Sequence, residues 1–391
     1  MIFSRCVVHG EIFCLIVDKI DVRHKNDLSR REMAANQAKL DALNEALAVL
    51  NKNVKTETGD NVIAKLGDRP RNVETISSGS LVLDSILGGG FAKGRIIEIY
   101  GPESSGKTTF ALTAIANVQA EGGTAAFIDF ENALDPKYAE NLGVNIAELA
   151  VSQPDYAEQG LELVEKLAST GAVDIIVIDS VAALVPLAEL ENDLESQTIA
   201  LTARLLSKSL RKLIRVANQS RTTIIMINQL RVAIGSYSPV GIPTDTTGGK
   251  ALKFYASQRL EIKRGKQIEE GKTVVGVQTK FVVKKNKIAP PFLKGETIIS
   301  FGKGINEAVE LLEVAPNYGV ILRPNNRTYV NALTGEVLGT SRAAAITKLE
   351  EDPELLSSLQ GALKDALEQA RAGGEYSVTS NLTEESTDDS E

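Results

Sequence analysis

The fold of this chain is decided by residues 96–108, which read Ile96-Ile-Glu-Ile-Tyr-Gly-Pro-Glu-Ser-Ser-Gly-Lys-Thr108. The stretch opens with a short apolar run typical of a buried strand, and Gly101 to Thr108 matches the pattern G-x-x-x-x-G-K-[ST]. A helix-compatible stretch follows, from Lys107 to Ala120. A glycine-containing loop between a strand and a helix can wrap an anion with backbone N–H groups, so the stretch predicts a phosphate-binding loop.

Each residue type in this loop has a physical role. Gly101 and Gly106 carry no side chains that would obstruct the loop, and the start of the helix adds its positive end. We expect Lys107 to reach the β- and γ-phosphates of a nucleotide and the hydroxyl of Thr108 to bind Mg²⁺. A glycine/serine turn that contains a lysine by chance is the alternative, and the flanking strand and helix disfavour it. The predicted nucleotide-binding residues are Gly101, Pro102, Glu103, Ser104, Ser105, Gly106, Lys107, Thr108 and Thr109.

Carboxylates end two further apolar runs. Asp179 closes the run 175–178, and beside a phosphate loop we predict that it is the second Mg²⁺ ligand, with a turn cap as the alternative. Asp129 and Glu131 end another run, and strand alternation places both on one face. One of them is expected to activate water and the other to be structural, and spacing alone does not choose between them.

Short apolar runs alternate with longer amphipathic stretches from about residue 94 to 230. This alternation predicts an α/β fold with a mostly parallel sheet and helices on both faces. Strand-like runs at 252–262, 274–284 and 296–300 follow without intervening helices, so we expect the sheet to end in antiparallel strands. Residues 305–372 read as mainly helical.

The chain of 391 residues has two cysteines, two histidines and no tryptophan. Cys6, Cys14, His9 and His24 all precede residue 25, so the remainder has no cysteine nucleophile, no histidine base and no cysteine/histidine zinc site. Two cysteines make no disulfide framework, so we expect a cytoplasmic protein. No run approaches the ~18 apolar residues of a membrane helix, and no membrane partner is expected.

Local charge says more than the net charge of −8. Six acids and no base lie in residues 373–391, which we expect to be disordered. Between residues 197 and 217 the chain has five bases and no acid, and four of these bases share a helical face. This face is either simply solvated or binds phosphate; its bases are Arg204, Lys208, Arg211, Lys212 and Arg215.

Gln229 lies at the end of the strand-like run 223–227, just before a stretch rich in glycine and proline. The carboxyl end of a parallel strand is where a polar side chain can meet a γ-phosphate and pass a change to the following loop. An amide that caps the turn is the alternative interpretation.

Six ordered blocks together resemble the RecA/Rad51 family of homologous-recombination ATPases. They include Phe127-Ile-Asp-Phe-Glu-Asn-Ala-Leu-Asp-Pro136 and Thr246-Thr-Gly-Gly-Lys250, and they lie at residues 73–80, 98–109, 127–136, 177–184, 227–231 and 246–257. The resemblance implies a RecA-type phosphate-loop core with a mostly parallel twisted sheet, an antiparallel extension, a small N-terminal helical element and a small α/β C-terminal domain. It divides the chain into a non-family extension or misassigned start, a polymerisation element, an ATPase core, a C-terminal domain and an acidic tail, at residues 1–32, 33–69, 70–304, 305–372 and 373–391.

The resemblance also assigns roles at the ATP site. It selects Glu131 as the residue that activates water and leaves Asp129 structural, and it makes Gln229 a γ-phosphate sensor coupled to a DNA-binding loop. The residues that it implies for adenine contact and for reaching ATP from a neighbouring subunit are, in turn, Asp135 and Tyr138, and Lys285 and Lys287.

For DNA, the resemblance implies two loops, at about 191–200 and 230–247, that hold single strands. The implied DNA-binding residues are Arg204, Arg211, Arg231, Thr247, Gly248 and Gly249. The first loop lacks the glycines usual in the family and the second is about two residues longer, so the pairing of residues there is open.

The resulting hypothesis is a DNA-dependent ATPase that uses ATP and Mg²⁺, forms helical filaments with its own copies on single-stranded DNA, and pairs and exchanges strands with duplex DNA. A LexA-type repressor, cleaving itself on the filament, is a further expected partner. A ring helicase or clock-type ATPase of the same fold and a small-molecule kinase are the alternatives.

Overall fold

The computed structural model describes residues 34–54, 63, 65, 73–191, 201–232 and 244–373. The predicted extension at 1–32 and the tail beyond residue 373 lie outside the described residues. The chain divides into two compact units, residues 1–71 and 72–391. Since residues 305–372 fall in the same unit as the core, a separate C-terminal domain stays a prediction.

The first unit contains one described helix, α1, at residues 34–53. The spacing of Leu40, Leu43, Leu47 and Leu50 by three and four residues predicts one buried stripe of a helix. In the structure Leu47 is half-buried, but the other three leucines are 46–50% exposed. The prediction of burial is therefore wrong for the chain taken alone. The helix itself forms as the spacing predicts, and its apolar stripe is of the kind that binds another protein surface.

The second unit alternates helices and strands along the chain. Its helices are α2 (Leu81–Leu87), α3 (Lys107–Ala120), α4 (Pro136–Asn141), α5 (Ala157–Ser169), α6 (Leu187–Glu191), α7 (Leu201–Ser220), α8 (Ala251–Tyr255), α9 (Glu307–Val314), α10 (Arg342–Glu351) and α11 (Pro353–Gly373). Its first strands are β1 (Thr75–Ile76), β2 (Phe91–Ala92), β3 (Ile96–Gly101), β4 (Ala125–Asp129), β5 (Ala150–Ser152), β6 (Ile175–Asp179), β7 (Thr223–Val232) and β8 (Thr244–Thr246). The remaining strands are β9 (Gln258–Glu270), β10 (Thr273–Asn286), β11 (Lys294–Ser300), β12 (Gly304–Ile305), β13 (Ile321–Leu322), β14 (Tyr329–Asn331) and β15 (Val337–Gly339).

One large mixed sheet organises the second unit, with the strand order β12-β11-β10-β9-β3-β7-β6-β4-β5 and with β8 paired to β7. The pairs from β9 through β3, β7, β6 and β4 to β5 are parallel, whereas β9, β10, β11 and β12 pair antiparallel. The predicted α/β fold with an antiparallel extension is confirmed.

The parallel strands are buried on both faces of this sheet. Ile97 and Ile99 belong to one apolar cluster, which includes Phe110 of α3, and Ile96 belongs to the other, which includes Leu161 of α5 and Leu206 of α7. Helices on both faces are what the alternating pattern predicts.

Two predicted elements differ from the structure. Residues 251–255 form the short helix α8, and the strand β9 begins only at Gln258. Ala251, Leu252, Tyr255 and Ala256 all contact one apolar cluster, and their spacing of one and four residues suits a helical face. The region after residue 305 also contains the three-stranded sheet β13-β14-β15 beside its helices.

Contacts from the last helices hold the start of the second unit. Arg371, near the end of α11, donates from Nη1 to Thr75 Oγ1 at 2.9 Å and from Nη2 to the carbonyl of Val73. The C-terminal helix therefore fixes the backbone that leads into β1. None of the helices in the described part of the chain is long and apolar enough to cross a membrane.

Glu310 of α9 is buried against the start of α2. Its carboxylate accepts hydrogen bonds from Ser80 Oγ and from the N–H of Leu81, both at 2.6 Å, while Ser80 Oγ caps α2 by accepting from the N–H of Leu83. Burial is the main cause that raises the pKa of Glu310 to about 7, and the hydrogen bonds from Ser80 and Leu81 oppose it.

Glu310 gives folding stability a pH dependence of definite sign. The folded carboxyl has a pKa of about 7, whereas an unfolded glutamate titrates near about 4.3. Between these values the folded protein keeps a proton that the unfolded chain has lost, so raising the pH lowers the free energy of unfolding. Glu310→Gln removes the titrating group and keeps an oxygen that accepts from the N–H of Leu81. Relative to this variant, the wild type should lose about 3 kcal/mol between about pH 4.5 and 7, measured by denaturant unfolding.

Glu307→Gln is the matched control, because Glu307 is exposed in the first turn of the same helix. It should leave the pH dependence unchanged. Equal pH slopes for Glu310→Gln and the wild type would contradict the assignment.

Candidate active site

The phosphate loop follows β3 and ends at the first turn of α3. Ser104 and Gly106 have positive φ values of 54° and 94°, which the tight loop requires. A Cβ at Gly101 would lie 2.1 Å from the carbonyl oxygen of Ile262, and one at Gly106 would lie 2.4 Å from Ile299 Cδ1. The two glycines are thus required by the neighbouring strands β9 and β11, a reason that the motif alone does not reveal.

Lys107 lies inside this loop. Its side chain is buried and Nζ donates to the carbonyl of Pro102 at 2.7 Å, the same carbonyl that accepts from Ser105 Oγ at 2.8 Å. Burial lowers the pKa of Lys107, and the carboxylates of Asp179 and Glu131 oppose that shift. The ammonium therefore points into the loop, where the anion is expected.

Thr108 and Asp179 form a pair of oxygen ligands beside the loop. Thr108 Oγ1 donates to Asp179 Oδ2 at 2.7 Å, and Asp179 is buried at the end of β6. Burial, with Glu131 and Asp129 adding to it, raises the pKa of Asp179 to about 6, although the Thr108 bond and Lys107 oppose the shift. A cation would favour the ionised form at this position.

A hydroxyl and a carboxylate suit Mg²⁺, which usually takes one or two protein oxygens and completes its shell with phosphates and water. Among the described residues there is no group of three or more acidic, histidine or cysteine side chains that could hold a metal without such help. The pair therefore fits a magnesium ion that arrives with a nucleotide.

Glu131 is the centre of a hydrogen-bonded cluster between neighbouring strand ends. Its Oε1 accepts from Ser180 Oγ at 2.5 Å and from Gln229 Nε2 at 2.9 Å. The sequence motifs assign no role to Ser180, and its place directly after Asp179 is the one local signal that points to it. The peptide bond between Asp179 and Ser180 is cis.

Asp129 has a different environment. It is buried and accepts from the N–H groups of Ala133 and Leu134, at 3.3 and 3.2 Å, and from Gln153 Nε2 at 3.3 Å. These bonds hold the turn after β4. Glu131 is exposed, so of the two acids it is the one accessible to a water molecule.

The two predicted adenine contacts are placed differently. Tyr138 shares a hydrogen bond of 2.8 Å between its hydroxyl and Thr109 Oγ1, which brings it to the first turn of α3. Asp135 is exposed and caps α4 by accepting from the N–H of Lys137. Adenine contact at both residues stays a prediction.

Lys285 contacts its own chain at a helix end. Its Nζ donates to the carbonyls of Lys253 and Phe254, both at 2.8 Å, at the end of α8. Burial, with the charges of Lys287 and Arg259 adding to it, lowers the pKa of Lys285. Phe254 is 72% exposed, and Lys287 is exposed too.

The predicted DNA-binding residues lie in two places. Arg204 and Arg211 are exposed on α7, opposite its buried leucines. Gly248 and Gly249 follow β8 with φ values of 84° and 75°, and a Cβ at Gly248 would lie 2.8 Å from Leu206 Cδ2 of α7. Thr247 stands at the same turn. The side chain of Arg231 and most of both predicted loops lie outside the described residues.

Comparison with known proteins gives consistent matches. The model of the family described as RecA N-terminal domain matches residues 41–306. Protein RecA of Macrococcus caseolyticus is 50% identical over 325 residues, which cover 83% of this chain and 91% of the relative. Protein RecA of Lactiplantibacillus plantarum is 45% identical over 350 residues, covering 89% and 91%. Among solved structures, the RadB recombinase matches 59% of this chain and 98% of its own, with 25% identity and a TM-score of 0.44.

The packing of Gly106 can be separated from its backbone conformation. Gly106→Ala introduces both a left-handed alanine and a contact with Ile299, whereas Gly122→Ala, at a φ of 82° with nothing within 4 Å, introduces only the first. Gly122→Ala should cost about 1 kcal/mol of unfolding free energy. Gly106→Ala should cost at least about 2 kcal/mol and weaken ATP binding about tenfold or more, because the loop must shift. Denaturant unfolding and titration with a fluorescent ATP analogue measure both, and equal effects of the two variants would contradict the packing role.

Proposed function

The chain belongs to the RecA family, and from that premise we propose that it is a DNA-dependent ATPase that forms helical filaments on single-stranded DNA and exchanges strands with duplex DNA. Members of this family, including this protein, act in homologous recombination and DNA repair. The observation that carries the proposal is the hydrogen bond from Gln229 to Glu131. It joins the residue best placed to activate water to the strand that leads toward the predicted DNA-binding loop.

Nucleotide binding is assigned to the loop 101–109. Its backbone N–H groups and the start of α3 surround the phosphates, and Lys107, already directed into the loop, neutralises them. Thr108 and Asp179 hold the magnesium ion, whose charge stabilises the phosphates when it is bound. Tyr138 and Asp135 border the adenine.

Hydrolysis needs a group that accepts the proton of the attacking water. Glu131 is exposed, and among the described residues it accepts two hydrogen bonds, both at Oε1, which leaves Oε2 available to that water. Both carboxylate oxygens of Asp129 accept hydrogen bonds from backbone N–H groups of the turn after β4. Ser180 and Gln229 orient the Glu131 carboxylate, and Gln229 senses the γ-phosphate.

The same site depends on DNA and on a neighbouring subunit. Arg204 and Arg211 bind backbone phosphates, together with Arg231 and the turn at 247–249. Lys285 and Lys287 reach the ATP of the adjacent protomer, so that hydrolysis requires a filament. We also propose that the protein is cytoplasmic and that its filament is the surface on which a LexA-type repressor cleaves itself.

The division of labour between Glu131 and Asp129 is testable with two amide variants. Glu131→Gln should lower ATP turnover at least about a hundredfold while ATP binding changes less than about threefold, because only the proton acceptor is lost. Asp129→Asn should lower unfolding free energy by about 1–3 kcal/mol and turnover less than about tenfold, because it weakens the turn. Steady-state phosphate release and denaturant unfolding measure these effects. Loss of turnover in Asp129→Asn but not in Glu131→Gln would reverse the assignment.

Dependence on DNA separates the proposed function from its alternatives. Phosphate release by the wild type should rise sharply when single-stranded DNA is added, and electron micrographs should show helical filaments. Lys107→Ala is the control and should remove hydrolysis with and without DNA, because the charge that binds the phosphates is lost. Phosphate transfer to a small molecule without DNA would favour a kinase, and closed rings would favour a ring ATPase. A strand-exchange assay with ATP and Mg²⁺ then tests the complete activity.

A further inference from the structure

A charged side chain lies in the middle of the sheet, below the phosphate loop. Glu98 of β3 is fully buried, and its Oε2 accepts from Arg259 Nε of β9 at 2.5 Å. Arg259 also packs on the ring of Tyr100, with its guanidinium carbon 4.7 Å from the ring centroid. A buried carboxylate is stable only when it is paired and hydrogen-bonded, so these contacts hold Glu98 in one position in the sheet.

Asn228 of β7 connects Glu98 to the backbone of Thr247 and to that of Gln229. Its Nδ2 donates to Glu98 Oε1 and to the carbonyl of Thr247, both at 3.0 Å. Its Oδ1 accepts from the N–H of Gln229 at 2.9 Å. Asn228 is fully buried and uses both of its amide hydrogens in these bonds.

These contacts place Asn228 between the two functional parts of the proposed enzyme. On one side is Gln229, whose Nε2 donates to Glu131. On the other is Thr247, which follows β8, the strand paired with the end of β7. Because Asn228 bonds to the backbone of Thr247, a movement of that backbone changes the position of the amide and of the Gln229 peptide bonded to it.

We propose that Asn228, anchored by Glu98, is a positioning residue that makes the orientation of Gln229 against Glu131 depend on the position of Thr247. It acts through Gln229 and touches neither nucleotide nor DNA. This inference rests on the proposed DNA-dependent ATPase and names the residue through which DNA binding at the turn 247–249 changes turnover.

The test is the ratio of ATP turnover with and without single-stranded DNA. Asn228→Ala removes all three hydrogen bonds but leaves the pair of Glu98 and Arg259. We expect it to lower the DNA stimulation of kcat about tenfold or more while KM for ATP stays within about twofold, because coupling is lost and phosphate binding is not. Thr223→Val is the matched control, since Thr223 lies at the other end of β7 and also makes a buried side-chain hydrogen bond, to the carbonyl of Ala92. It should keep the stimulation of the wild type.

Asn228→Ser provides a second variant of smaller change in case the alanine variant does not fold. Hydrogen exchange of the peptides covering 225–232 provides a second readout: DNA should alter their exchange in the wild type and in Thr223→Val but not in the Asn228 variants. Stimulation within about twofold of the wild type in a folded Asn228 variant overturns the inference, as does equal loss in Thr223→Val. A wild type that DNA does not stimulate overturns the proposed function itself, and the inference falls with it.

Discussion

The pairing of β3 with both of its neighbours is the constraint on which the rest of the structure depends. β3 runs parallel to β7 on one side and to β9 on the other, and the register sets Gly101 opposite Gln229. On the far side of β7, β6 continues the parallel sheet to β4 and sets Asp179 opposite Asp129. A slip of one residue in any of these pairs would turn the functional side chains to the other face. The active site is therefore a property of sheet register before it is a property of any loop.

Buried carboxyl groups are the second common feature of this unit. Glu98 and Glu310 are buried carboxylates, and each is held by donors from a different part of the chain: a strand neighbour for the first, a helix start for the second. Such groups stabilise a fold weakly but are costly to leave unpaired. Because an alternative alignment would leave the carboxyl group unpaired, the native alignment of strand and helix is much lower in free energy than its near alternatives. A site assembled from several strand ends requires such a fixed alignment.

Much of the fold and part of the site could be predicted from sequence. The features that could be predicted depend on residues close together in the chain, whereas the others depend on contacts between distant residues. The phosphate loop, its lysine and the carboxylate at the end of β6 are encoded by adjacent residues, so local pattern reveals them. The contact of Glu131 with Ser180 and Gln229 joins residues 49 and 98 positions apart, and only the sheet order decides it. The same holds for the glycines, whose neighbours are backbone and side-chain atoms of distant strands. The prediction of a strand at 252–257 is wrong because the local pattern is ambiguous there. A short apolar run fits the period of a strand or of a helix, and only the residues that it packs against decide between them.

The contact of Arg371 sets a limit on how the chain can be shortened. Residues 374–391 carry the acidic charge, but Arg371, three residues before them, holds the backbone of Val73, close to where the second unit begins. A truncation that ends before Arg371 removes negative charge and also releases the first strand. Its effect on DNA binding or assembly would then mix two causes, whereas a chain that ends at residue 373 isolates the charge.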